Sequence, residues 1–179
     1  MHKSKRLGIT VDLPSSYLVI HKKIDTDKLV IDGLNEAPKK VQNFLKKNAN
    51  NFEQAMQKPL EVWISGNNID NAIIIKVIAT NKRLNTSSKK VINMCNSMKN
   101  IYKQKLNIDI EYCKKTKVNK YDAIHLKYPS ITIKNHFTDH YMINSGSGRT
   151  IVFMTTANVN KKKKVLKEVS EILNTFKTK

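Results

Sequence analysis

Five histidines are the side chains here best suited to chemistry, and three fall in one stretch: His125, His136 and His140. An imidazole ligates zinc or carries a proton near neutral pH. His136 and His140 share a parity on one extended segment. Four residues along a strand span ~13 Å at ~3.3 Å per residue, too far for one ion to bridge. His125 comes near one of them only across a hairpin, and zinc would still require a third ligand and outer partners. Exposed strand histidines are therefore the expectation. A small enzyme would have to assemble its site from residues distant in sequence, such as His125, His136 and Asp139.

Other catalytic patterns are missing. No GxSxG elbow occurs, and Ser145-Gly146-Ser147-Gly148 lies in a hairpin tip with no helix after it, which also argues against a phosphate-binding loop. Acidic residues total 14. Glu168 and Glu171 read as helix-surface partners of Lys164 and Lys167. Cys95 and Cys113 show no CxxC spacing, which argues against structural zinc. Cys95 falls on the apolar stripe of a helix, where a small buried hydrophobe is expected rather than a disulfide with Cys113. The expectation is thus no catalytic residue, no cofactor and no metal.

Charge says more. The net charge is +19 over 179 residues, and only Arg6, Arg83 and Arg149 are arginine. Richness in Lys, Asn and Ile marks an AT-rich genome and explains part of the excess as drift over a solvated surface. Such a charge keeps a protein soluble and draws it to anionic partners. The candidate anion-binding residues are Lys161, Lys162, Lys163 and Lys164 at a helix start, and Lys114, Lys115 and Lys117 in a basic turn. Cations at a helix N-terminus oppose its dipole by ~0.3–1 kcal/mol each, so free N–H groups there would welcome an anion. Nucleic acid is possible but not favoured: there is no helix-turn-helix, zinc finger or RNP-type aromatic pair, and little arginine to read bases.

Periodicity supplies the frame. Leu7–Leu13 alternates as a strand, and Tyr17–His21 follows after a Pro14 turn. Ile24–Asn35 reads as a loop. Pro38 opens a helix with Val41, Phe44 and Leu45 inward. Phe52–Met56 is helix or extended. Leu60–Ser65 is a strand, Gly66-Asn67-Asn68 a turn, and Ala72–Thr80 a continuous apolar strand expected to be central and covered on both faces. Ser88–Leu106 is an amphipathic helix with Val91, Ile92, Cys95, Met98, Ile101 and Tyr102 inward. Ile108–Tyr112, Tyr121–Tyr128, Ile131–Ile143 and Thr150–Thr156 are strands. A last helix begins near Lys161. Segregated strands and helices argue for one α+β domain over 1–179, with mostly antiparallel sheet of six to eight strands and about three helices. Residues 1–6 read as a disordered start or a foreign remnant. No apolar run is long enough to cross a bilayer.

On these residues a resemblance appears. Leu7-Gly8-Ile9-Thr10-Val11-Asp12-Leu13-Pro14 looks like the entry strand of PsbP-like and DcrB-like domains, and Ser88–Leu106 like their middle helix. Tyr121-Asp122-Ala123-Ile124-His125-Leu126, the segment Tyr141–Thr155 and the closing Ile172-Leu173-Asn174-Thr175-Phe176 resemble their meander and last helix. Asn119-Lys120 stands where many relatives have a glycine turn, and Ile24–Gln57 has no counterpart. The resemblance implies an antiparallel sheet flanked by helices and a non-catalytic domain, often exported or membrane-anchored in bacteria. It carries over no functional residue. The function expected is a bacterial cell-envelope binding or assembly module, extracytoplasmic, with lysines facing anionic membrane, wall polymer or an acidic partner protein. The alternatives are a cytoplasmic nucleic-acid-associated protein and a small enzyme.

Overall fold

A computed structural model describes residues 1–24, 26–56, 60–65 and 71–178. The turn expected at 66–68 lies outside them. The frame is α+β: an eight-stranded antiparallel sheet, ordered β4-β3-β5-β6-β10-β9-β8-β7. Its strands are β3 (Tyr17–Lys22), β4 (Leu29–Asp32), β5 (Leu60–Ser65), β6 (Ile74–Thr80), β7 (Tyr112–Val118), β8 (Tyr121–Pro129), β9 (His136–Asn144) and β10 (Thr150–Asn158). A three-stranded sheet of β1 (His2–Ser4), β2 (Ile9–Val11) and β11 (Lys177–Thr178) joins the two ends of the chain. The helices are α1 (Lys39–Lys47), α2 (Ala49–Ala55), α3 (Ser88–Leu106) and α4 (Lys162–Asn174).

The two faces of the large sheet are covered differently. On one, α4 lays Val165, Val169, Ile172 and Leu173 over Trp63, Val77, Phe153 and Ile151, while Ile9 and Val11 of the small sheet close the end. Each fully buried side chain there contributes about 1.5–3 kcal/mol. Tyr17 Oη donates to Glu168 Oε1 at 2.6 Å and ties α4 to β3. On the other face cover is split. Helix α1 packs Val41 and Leu45 on Leu18, Ile20 and Val62 at one end. Helix α3 packs Val91 and Cys95 on Ile124, Leu126 and Tyr128 at the other. Between them no helix crosses β6, among the described residues.

Several expectations change here. Residues 2–4 form β1, and Ser4 is buried. Its neighbour His2 sits 2.8 Å from Glu61 Oε2, which explains why this end of the chain is ordered. Ile24–Asn35 contains β4, a short strand on the sheet edge whose apolar residues show no clean period. Phe52–Met56 falls mainly in α2. Ile92 and Ile101 of α3 are exposed at 59% and 45%, because an edge-seated helix buries only a narrow stripe. Strand β6 is central, but it is not covered on both faces: Lys76 is exposed and Ile74 and Ile78 are half-buried. The stretch 114–117 is not a turn but the body of β7, and the turn lies at Asn119-Lys120. Asn119 supplies the left-handed backbone that this two-residue hairpin requires, at φ 52°.

The cysteines also depart from expectation. Cys95 and Cys113 form a disulfide, with Cα atoms 5.7 Å apart. Cys113 lies on the face of β7 that meets α3, and Cys95 lies on the helix's inner stripe. The sequence left Cys113 as the one possible partner but not the pairing, because only the docking of α3 on the sheet edge brings the two together.

Candidate functional site

Three arrangements are available for function: the histidine cluster, the lysine surface and an apolar groove.

The sequence implied exposed strand histidines, and the structure corrects this for His125, His136 and His140. His125 and His140 are buried and His136 is half-buried. Register decides which of them meet. His125 on β8 pairs with Tyr141 on β9, and the rings stack at 3.9 Å with 12° between planes. His125 Nε2 lies 2.6 Å from Asp139 Oδ1, one step along β9 on the same face. Tyr112 packs edge-on against the other side of His125 at 5.0 Å. Burial and the nearby Asp139 carboxylate push the Tyr141 phenol well above its usual range, so it stays protonated.

His136 and His140 have the opposite parity on β9 and point to the other face of the sheet. His136 Nδ1 donates to the Lys134 carbonyl at 2.9 Å. His140 Nδ1 lies 3.3 Å from Tyr128 Oη. Burial lowers the His140 pKa to about 4; Asp139 opposes the shift and His125 adds to it. His140 Nε2 and the Thr155 hydroxyl have no hydrogen-bond partner among the described residues. The set His125, His136 and Asp139 is therefore not brought together. Only His125 and Asp139 meet, and the sheet separates them from His136. No group of three metal-ligating side chains occurs among the described residues.

The lysines divide by face. On β7, Lys114 shares its face with Tyr112 and His125, while Lys115 and Lys117 share theirs with Cys113. Lys115 pairs with Asp122 at 3.3 Å, and this contact, together with the Thr86 hydroxyl, holds the Asp122 carboxyl below its usual range. All three lysines lie on the outermost strand of the large sheet, where charged side chains also discourage edge-to-edge pairing with another chain. Lys162, Lys163 and Lys164 occupy the first turn of α4, and Lys161 is its N-cap residue without a side-chain cap bond.

One ion pair ties the α4 cluster to the start of β7. Lys162 Nζ meets Glu111 Oε2 at 2.6 Å, one residue before β7, and lies 5.5 Å from the Phe137 ring. Lys114 and Lys127 stand 4.8 and 5.3 Å from the Tyr112 ring centre. We call Lys114 and Lys127, on the sheet face that α4 covers, together with Lys161–Lys164 at the start of that helix, the basic strip; Lys115 and Lys117 point to the opposite face and lie outside it. Sequence reading missed Lys127 and Tyr112, and their alternation on β7 and β8 was the only available signal.

The groove crosses the uncovered part of the second face, with a volume of about 660 Å³. One wall is Phe44, Phe52 and Met56 from α1, α2 and the end of α2. The floor comes from β5 and β6, and His136 with Ile133 closes the far side. Phe44 had been expected to face the core, yet it is 42% exposed because it lines this wall.

Compared with known proteins, the chain matches no family model and no curated protein.

Proposed function

We propose that this protein is a non-catalytic, extracytoplasmic binding or assembly module of a bacterial cell envelope, as the PsbP-like resemblance implies, and that its basic strip meets an anionic surface. The observation that carries this reading is the Lys162–Glu111 ion pair, which ties the start of α4 to the start of β7, the strand that carries Lys114. Lys161, Lys163 and Lys164 are exposed at the start of α4, and Lys114 and Lys127 lie on the sheet face that α4 covers. Each lysine near an anionic membrane contributes about 1 kcal/mol, screened by salt. The Cys95–Cys113 disulfide favours an oxidising compartment outside the cytoplasm. No helix among the described residues is long and apolar enough to cross a membrane.

Vesicle sedimentation tests the proposal. Binding to phosphatidylglycerol vesicles should fall steeply as salt rises, and the variant with Lys114, Lys161, Lys163 and Lys164 changed to Gln should lose most of it. Equal binding to neutral and anionic vesicles would end the surface reading. A salt-sensitive mobility shift with duplex DNA, lost in the same variant, would point to nucleic acid instead.

A further inference from the structure

The uncovered middle of the sheet holds an arrangement that the lysine strip does not use. Strand β6 is central, and central strands are ordinarily apolar on any face turned to the core. Here Lys76 interrupts Ile74 and Ile78 on the groove floor and is exposed. It faces Val62 on β5 and Met154 on β10 in register, so both neighbouring positions are apolar. No acid lines the groove and Lys76 has no acidic partner, among the described residues. The Lys76 stem crosses this apolar floor while its ammonium stays in water, placed to meet the anionic end of a guest.

The groove's form indicates what that is. At about 660 Å³ it lies within the roughly 300–1,000 Å³ of small-molecule sites. Its floor runs four residues along β6, ~13 Å at ~3.3 Å per residue, which suits an extended chain. The walls are aromatic and thioether side chains, Phe44, Phe52 and Met56, and flexible methionine adapts to an irregular apolar guest. An apolar trough with one unpaired ammonium complements an amphiphile with one apolar chain and one anionic head.

We infer that this groove binds a free fatty acid, its acyl chain along β5–β6 against Phe44, Phe52 and Met56 and its carboxylate on Lys76 Nζ. The site shares no residue with the basic strip, so it stands or falls separately from the surface reading.

Titration calorimetry with laurate, kept below its micelle concentration and at high salt to silence the strip, tests the inference. Saturable one-to-one binding is expected. Lys76→Ala should weaken it about ten-fold, the scale of one lost charged contact, and Lys76→Arg should restore most of it. The strip variant with Lys114, Lys161, Lys163 and Lys164 changed to Gln should bind normally. Ile74→Asp, with its fold verified by circular dichroism, should abolish binding. Absence of saturable binding, unchanged affinity in Lys76→Ala, equal affinity for lauryl maltoside, or loss only in the strip variant would each overturn it.

Discussion

His125 and Asp139 meet across β8 and β9 at 2.6 Å, with the imidazole clamped between Tyr141 and Tyr112. Asp139 is 1% exposed, so its carboxylate has exchanged water for this one imidazole contact. Truncating one member of such a buried pair strands the other. Asp139→Ala should therefore cost about 1–3 kcal/mol, the scale of a buried polar group left without its partner. Changing both residues to apolar side chains of similar volume should cost less than the two single changes combined. Urea unfolding of the four proteins measures the coupling, and simple additivity would show that the pair does not act as a unit.

His140 makes stability depend on pH. Burial holds its folded pKa at about 4 against an ordinary 6.5. The unfolded chain therefore binds a proton first, and stability falls as pH drops from 6.5 towards 4. The groups facing it are Tyr128 through Nδ1, with Asp139 and His125 acting through space. The loss should be on the order of 3 kcal/mol. His140→Phe should flatten the unfolding free energy over this window, and an unchanged slope would refute the assignment.

Glu61 acts at lower pH. Its Oε2 accepts from Trp63 Nε1 at 2.9 Å and lies 2.8 Å from His2 Nε2. Burial raises its pKa, but the hydrogen bonds from His2, Ser4 and Trp63 outweigh it, so the folded value lies below the ordinary 4.5. That stabilisation is present above 4.5 and disappears as pH falls through the folded pKa. Removing residues 1–4 should reduce thermal stability at pH 7 by about 1–3 kcal/mol, because Glu61 then keeps only Trp63 of its three partners at a buried position. A melting curve that does not shift would show that β1 contributes nothing.

The Cys95–Cys113 bridge closes an 18-residue separation, and a loop near this length is worth about 3 kcal/mol. Reduction, or changing both cysteines to Ala, should lower the melting temperature. Hydrogen exchange should rise first in α3 and β7, which the bridge joins. Uniform exchange across the whole sheet would argue against a local clamp.

Much of the frame was legible in the sequence because it follows from local period. Leu60–Ser65 and Ser88–Leu106 carry the two-residue and helical periods of β5 and α3, and β8 and β10 follow where expected, whereas the strand expected at Ile108–Tyr112 starts only at Tyr112 and the one expected at Ile131–Ile143 only at His136. β4 escaped notice because an edge strand of four residues buries too little to impose a pattern. The basic run 114–117 looked like a turn because lysine is a poor strand signal, although an edge strand tolerates it well.

Composition and periodicity by themselves determined the α+β class, the strand-rich order and the excess of lysine. Tertiary structure alone decided which groups meet. Register set His125 on Asp139 and put His136 on the opposite face. Docking of α3 on the sheet edge made the Cys95–Cys113 bond. The gap between α1–α2 and α3 left Lys76 exposed on a central strand. Periodicity reports which side of an element is apolar, whereas contact between distant elements depends on register and on where helices fail to cover a sheet, and neither is encoded within a short window of chain.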